Sequence, residues 1–163
     1  MESDFAAPVL DEQYVELIRN QVSLNVAARD GTNVPAVTRA YGCDVSPDRR
    51  SITVFVPEAA NVLLQCIQEN GAVAVVCSHP RTLQTLQLKG NDATVVRATP
   101  EDATHVERWR RTFTDEIEAN GYGPPFSTSL GEPARQPMKA VRFTLAAIYD
   151  QSPGPAAGRQ LES

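Results

Sequence analysis

Residues 51–97 constrain this chain most, because they alternate between two incompatible periodicities within a short span. Ser51-Ile-Thr-Val-Phe-Val-Pro57 is β-branched and apolar and predicts a strand. Glu58 to Asn70 predicts an amphipathic helix that buries Ala59, Val62, Leu63, Cys66 and Ile67, with Asn70-Gly71 as its stop. Gly71-Ala-Val-Ala-Val-Val-Cys77 predicts a second strand. Thr82 to Arg97 predicts a long bent strand, broken at Lys89-Gly90-Asn91-Asp92.

The flanking segments add strands in pairs. Leu10, Tyr14, Leu17 and Ile18 repeat at helical spacing, with Asp11 as a cap. Gln21 to Arg29 and Val34 to Val45 read as strands joined by an Asp30-Gly31 turn, and Ser46 to Arg50 as the next turn. A helix follows Pro100, striped by Ala103, Val106, Trp109, Phe113 and Ile117 and closed by Asn120-Gly121. Its other face carries Glu107, Arg108, Arg111, Asp115 and Glu118, a solvated surface. Residues 121–137, rich in Gly, Pro and Ser, read as a long loop, and Met138 to Tyr149 as the final strand. Residues 1–9 are expected to fray, and Gln151 to Gly158 to lack regular structure. About six strands and three helices result. Strands joined by short turns favour a mainly β, antiparallel barrel with peripheral helices over a doubly wound sheet. Residues 1–150 form the domain and 151–163 a Pro/Gly tail.

Bulk properties exclude several classes. At 163 residues, 42% hydrophobic and 21% charged, the chain can bury a core of its own. No apolar run reaches the roughly 20 residues of a membrane span, and the acidic start lacks a signal-peptide pattern. A cytoplasmic protein without a membrane partner is expected. The net charge of −5 disfavours nucleic acid. Cys43, Cys66 and Cys77 include no CxxC pair and fit buried thiols, so no metal is expected. Only Lys89 and Lys139 are lysines among 15 basic residues; the arginine excess suits phosphate contacts or reflects a GC-rich genome. No GxGxxG, P-loop, HExxH or GxSxG motif is present.

The element order, the Asn70-Gly71 helix exit, Leu88-Lys89-Gly90 followed by Val95-Val96-Arg97, and the Asp150-Gln-Ser-Pro-Gly-Pro155 segment together resemble the pyridoxamine 5'-phosphate oxidase-like FMN-binding split barrel family. The similarity covers roughly residues 10–150. It implies a split β-barrel homodimer with FMN in grooves between the two chains. A small closed barrel is filled by its own side chains, so a flat ring must lie outside it.

The resemblance also assigns residues. A basic residue on the second long strand of the family contacts the FMN phosphate, and Arg39 matches it; the alternative is a surface arginine paired with a carboxylate. The Arg-Lys pair that opens the family's helix is Val62 and Leu63 here, and a hydroxyl or amide position is Pro57. Another arginine, Arg81 among them, would then have to compensate, or the ligand differs. Ser78, Thr82, Gln84, Thr85 and Gln87 are candidate ring contacts, although alternation with Leu83, Leu86 and Leu88 explains them equally. Gln151, Ser152 and Gly154 of the tail could cover the ring.

The implied function is a flavoprotein, an FMN-dependent oxidoreductase acting on a small-molecule substrate, with the catalytic residues open. The alternatives are a haem-binding or haem-degrading relative and a non-catalytic flavin- or ligand-binding module. His79, between two strands, could be a proton donor or a haem ligand, and His105, on a helix, is the lesser candidate for a functional role.

Overall fold

A computed structural model describes residues 7–161. The frayed start therefore falls largely on residues 1–6, which lie outside the described residues, as do 162 and 163.

The first helix, α1 (Glu12–Arg19), starts where Asp11 accepts a hydrogen bond from the Gln13 amide at 3.0 Å. Val15 and Ile18 are its buried side chains, while Tyr14 and Leu17 are half-buried. β1 (Ser23–Arg29) and β2 (Pro35–Ala40) form a hairpin. Its turn is longer than Asp30-Gly31 alone, because the Asp30 carboxylate accepts from the Thr32 and Val34 amides and the Thr32 hydroxyl. Those bonds hold the Asp30 pKa below its ordinary value.

The run read as one strand from Val34 to Val45 breaks at Tyr41-Gly42, and β3 (Cys43–Val45) belongs to a different sheet. Gly42 has φ +130°, and a Cβ there would lie 3.1 Å from the Phe55 ring and 3.2 Å from the Val106 Cα. The same event occurs twice more. Thr82 to Arg97 divides into β6 (Thr85–Gly90) and β7 (Thr94–Arg97), and the final run into β8 (Met138–Thr144) and β9 (Ala147–Asp150). In each case one half lies in each sheet. With β4 (Ser51–Pro57), β5 (Val73–Ser78) and β10 (Arg159–Gln160), the sheets run β10-β9-β6-β5-β1-β2 and β3-β4-β8-β7. Every pairing is antiparallel. The described strands form two sheets rather than one closed barrel.

The second helix, α2 (Asn61–Asn70), starts later than Glu58, because Pro57 to Ala60 makes a turn, and ends on left-handed Gly71 at φ +72°. Its buried stripe is Leu63, Leu64, Cys66 and Ile67. At about 100° per residue these positions centre near Leu63 and Ile67. Val62 therefore falls off the stripe and is 66% exposed, and Ala59 is exposed because it lies in the turn before the helix. The third helix, α3 (Pro100–Ala119), opens on a Thr99–Asp102 capping box. Ala103 is exposed, whereas Val106, Trp109, Phe113 and Ile117 are buried as expected. The Trp109 indole donates to the Val22 carbonyl at 2.8 Å and stacks on Phe113 with centroids 4.9 Å apart.

Residues 121–137 are not an open loop. They contain α4 (Phe126–Gly131) and a 3₁₀ turn (Glu132–Arg135). The buried Ser127 hydroxyl donates to Glu118 at 2.6 Å, and Gly131 packs closely against Thr114 and Arg110 of α3. Residues 151–158 are turns, but the tail returns as β10, paired with Tyr149 and Asp150. No described helix is long and apolar enough to cross a membrane.

One buried polar cluster ties α3 to the β5–β6 loop. Glu116 is 4% exposed, with Oε1 2.9 Å from Arg81 Nε and 3.5 Å from His79 Nε2. His79, 5% exposed, accepts the Thr82 amide at Nδ1, 3.2 Å away. Glu116→Ala is expected to destabilise the protein by about 1–3 kcal/mol, by stripping partners from a buried polar cluster. Glu116→Gln, which keeps the shape, costs less. Urea denaturation measures both, and wild-type stability for the alanine variant would dissolve the tie.

Cys43, Cys66 and Cys77 are buried and unpaired. Burial pushes the Cys77 thiol up to about 12, and Cys43 well above its ordinary value. A thiol with a raised folded pKa gives stability that is complete below its unfolded value, near 9, and lost as pH climbs toward the folded value. For Cys77, stability should therefore fall between pH 9 and 12, by about 1.4 kcal/mol per pH unit. Cys77→Ala should reduce that slope in pH-resolved denaturation curves; an unchanged slope would place a thiolate inside the fold.

Candidate cofactor-binding face

The first sheet has a buried face and an outer face. Leu24, Val26, Val75, Cys77, Leu86 and Leu88 point into the core, so the residues between them point outward. Strand register lays these outward residues in rows. One row runs Arg39, Asn25, Val76, Gln87, Tyr149 across β2, β1, β5, β6 and β9. A neighbouring row, nearer α3, joins Ser23, Ser78 and Thr85.

Five expected site residues form one connected patch. The Thr85 hydroxyl lies 3.0 Å from the Ser78 hydroxyl. The Thr85 amide donates to Ser152 Oγ at 3.0 Å, and its carbonyl accepts the Gln151 amide at 2.8 Å. The Gln151 side chain reaches Gln87 Oε1 at 3.5 Å. Asp150 fixes the turn by accepting the Ser152 amide at 2.9 Å, which lowers its own pKa. Thr82 and Gln84 sit beside the patch in the β5–β6 loop, where the Gln84 amide donates to Thr82 Oγ1 at 3.3 Å. Leu83 between them holds φ +61°. Gly154 is not drawn in: it is exposed at φ +138°, with nothing within 4 Å of an added Cβ.

Arg39 occupies the opposite end of its row. Three strand spacings separate it from Gln87, roughly 14 Å. Its guanidinium lies 5.9 Å from the Phe113 ring centroid. Nε and Nη2 are buried and without a hydrogen-bond partner among the described residues. No carboxylate pairs with Arg39 among the described residues. The Arg39 side chain as a whole is half-buried, and an anion supplied from outside could meet its two buried donors.

The helix side of the expected phosphate site is different. Pro35 to Thr38 and Ala59 to Leu63 line a groove between β2 and α2 that contains no cation. Val62 and Val37 are exposed there, at 66% and 67%, while Leu63 turns into the core. Arg81 is not among the residues that line this groove and pairs with Glu116.

The histidines lie elsewhere. Both ring nitrogens of His79 face protein groups, Thr82 and Glu116. His105 stacks on Phe55, with Nε2 3.7 Å from Asp44 Oδ2 and Nδ1 3.2 Å from Arg108. Sequence reasoning passed over Asn25, Lys89 and Tyr149, all of which share the outer face. The signal was present in the strict alternation of β1 and β6. Glu116 was also missed; it sits three residues beyond Phe113, on the stripe side of α3.

No family model matches the chain, and no curated protein does. Solved structures do. HupZ of Group A Streptococcus aligns at 14% identity over 92% of this chain and 100% of its own, with TM-score 0.57. An F420 reductase aligns at 16% identity over 85% and 98%, TM-score 0.52. A candidate pyridoxamine 5'-phosphate oxidase from Lactobacillus delbrueckii aligns at 12% over 86% and 93%, TM-score 0.51. At such identities the likeness is one of fold, and it agrees with the strand crossings described above: the chain has the split-barrel fold of the pyridoxamine 5'-phosphate oxidase-like proteins.

Proposed function

We propose that this chain binds a flavin, FMN, along the outer face of the first sheet and works as a flavin-dependent oxidoreductase, two copies enclosing the cofactor. The carrying observation is the pair of unsatisfied buried donors of Arg39 at one end of a face whose other end is a hydrogen-bonding patch. Arg39 would hold the phosphate. Hydroxyls of Ser78 and Thr85 and amides of Gln87 and Gln151 would offer donors and acceptors to the ring, with Thr82 and Gln84 at its margin. Ser152 and the turn through Gly154 would close the edge.

The bound flavin would supply a ring that accepts a hydride or electrons. The protein would orient it and exclude water. A second copy suits that task, because Val76 on this face is only half-buried in one chain. The fit is good at Arg39 and poor at the β2–α2 groove, which adds no second charge. A phosphate monoester carries about −1.5 to −2 at pH 7, so one guanidinium leaves it partly uncompensated.

The test is a titration of FMN and of riboflavin, followed by the visible spectrum of the flavin. FMN should bind more tightly than riboflavin. Arg39→Ala should weaken FMN by more than tenfold, the scale of a lost charged contact, and leave riboflavin unchanged. Equal affinity of wild type and variant for FMN would remove Arg39 from the site. A haem Soret band in the purified protein would favour the haem alternative, and binding of neither would favour a non-catalytic module for another ligand.

Ending the chain after Asp150 deletes β10 and the Ser152–Thr85 bond. Circular dichroism should show the fold retained, while FMN affinity falls. Unfolding would make the tail a structural element instead.

A further inference from the structure

Beyond the polar patch, the outer face ends in a cavity of about 330 Å³ where β1 ends, β5 begins and β6 ends. Its walls include Ala27, Ala72 and Ala74, the cations Arg29 and Lys89, and Asn91. Ala27, Ala74 and Lys89 share one cross-strand row. The small side chains make the hollow, and the long cationic ones rim it.

Neither Arg29 nor Lys89 pairs with a carboxylate among the described residues. Nearby acids are engaged elsewhere: Glu69 accepts the Gly31 amide at 3.1 Å, Asp92 the Thr144 amide at 2.8 Å, and Asp30 its own turn. Lys89 Nζ lies 4.8 Å from the Tyr149 ring centroid. An aromatic face positions an ammonium without neutralising it. The Arg29 carbonyl is held by the Asn70 side chain at 2.8 Å, which fixes the backbone beneath its guanidinium.

From this geometry we infer that the cavity is a binding site for a small organic anion, a carboxylate with an apolar body, its charge met by Arg29 and Lys89 and its body seated on Ala27 and Ala74. A guanidinium matches a carboxylate with two parallel donors, and the alanine floor suits carbon rather than water. Lys89 lies two residues beyond Gln87 on the same face of β6, about 7 Å along the strand. The site thus adjoins the proposed flavin strip and would serve its substrate, but its evidence is independent of the flavin.

Benzoate is the probe. Titrated into the isotope-labelled full chain, it should shift the amide resonances of Ala27, Ala74 and Gly90 saturably, and benzyl alcohol of similar shape should not. The double variant Arg29→Gln/Lys89→Gln, changed at two exposed positions, should keep the wild-type spectrum elsewhere and lose at least tenfold in benzoate affinity. Absence of shifts at millimolar benzoate would overturn the assignment. Equal response to benzyl alcohol would overturn the role of charge, and displacement by equimolar inorganic phosphate would overturn the organic class. The flavin reading is scored separately by the flavin spectrum, so either can fail alone.

Discussion

Everything in this molecule depends on three places where the backbone leaves one sheet for the other: Tyr41-Gly42, the Asn91–Ala93 turn, and Leu145-Ala146. Each crossing lets one run of chain contribute to both sheets, so the sheets cannot separate without breaking continuous strands. Gly42 makes the first crossing possible, because its φ of +130° and its contacts with Phe55 and Val106 leave no place for a side chain. At the second, Gly90 lies under Phe143, whose ring would stand 2.4 Å from an added Cβ. The third is held by backbone bonds from Leu145 to Arg50 and from Ala146 to Lys89, one to each side.

This division places the candidate sites. Joining the sheets consumes one face of each in the core, and α2 closes an edge with Leu63, Leu64, Cys66 and Ile67. The other face of the first sheet is left to solvent except near α3, where Trp109 anchors to Val22 and Glu116 holds the β5–β6 loop. The hydroxyl and amide patch therefore sits next to a rigid support, as an orienting surface requires. The cavity at Arg29 and Lys89 lies at the far end of the same strands.

Local structure was legible wherever one residue dictates backbone geometry. Asp11, Gly71, Pro100 and the β4 run appear where the pattern placed them. The break at Lys89 to Asp92 was legible from its turn residues, but the breaks at Tyr41-Gly42 and Leu145-Ala146 were not, because both halves of a bent strand keep the same two-residue alternation, and alternation carries no information about which sheet a half joins. The short helix α4 was hidden by its own composition. Six residues containing Gly, Ser and Thr have little intrinsic helicity, and the bonds that hold them reach across to α3. Val62 was misplaced by a phase error in the α2 stripe. Glu116 escaped notice because its partners His79 and Arg81 lie far back in the chain, so nothing local marks it as buried. For the site, alternation delivered Ser78, Thr85 and Gln87 to one face, and the resemblance delivered Arg39. Neither could show that the Arg39 donors are orphaned, since that depends on how the guanidinium lies against Phe113.

The cations of the outer face differ from others in the molecule. Arg19, Arg81, Arg110, Lys139 and Arg142 find acidic partners. Arg39 stands opposite Asn25, Arg29 opposite Pro35, and Lys89 opposite Ala74 and Ala147. With 20 acidic residues against 15 basic ones, carboxylates are in excess, yet register puts none across from these three. Lack of a partner alone does not mark a site, since Arg97 and Arg111 also pair with no carboxylate among the described residues. Arg29 and Lys89 are set apart by rimming a hollow, and Arg39 by two buried donors without a partner, where Arg108 has one. A cation in bulk water is satisfied by solvent. One at a buried or concave position is satisfied only in part, and an anion that brings its own apolar surface gains both the charge contact and the burial. Arg39 and the Arg29–Lys89 hollow thus lie on one face of the first sheet, Arg39 at the end of the row that carries Asn25, Val76 and Gln87, and the hollow beside the next row, that of Ala27, Ala74 and Lys89.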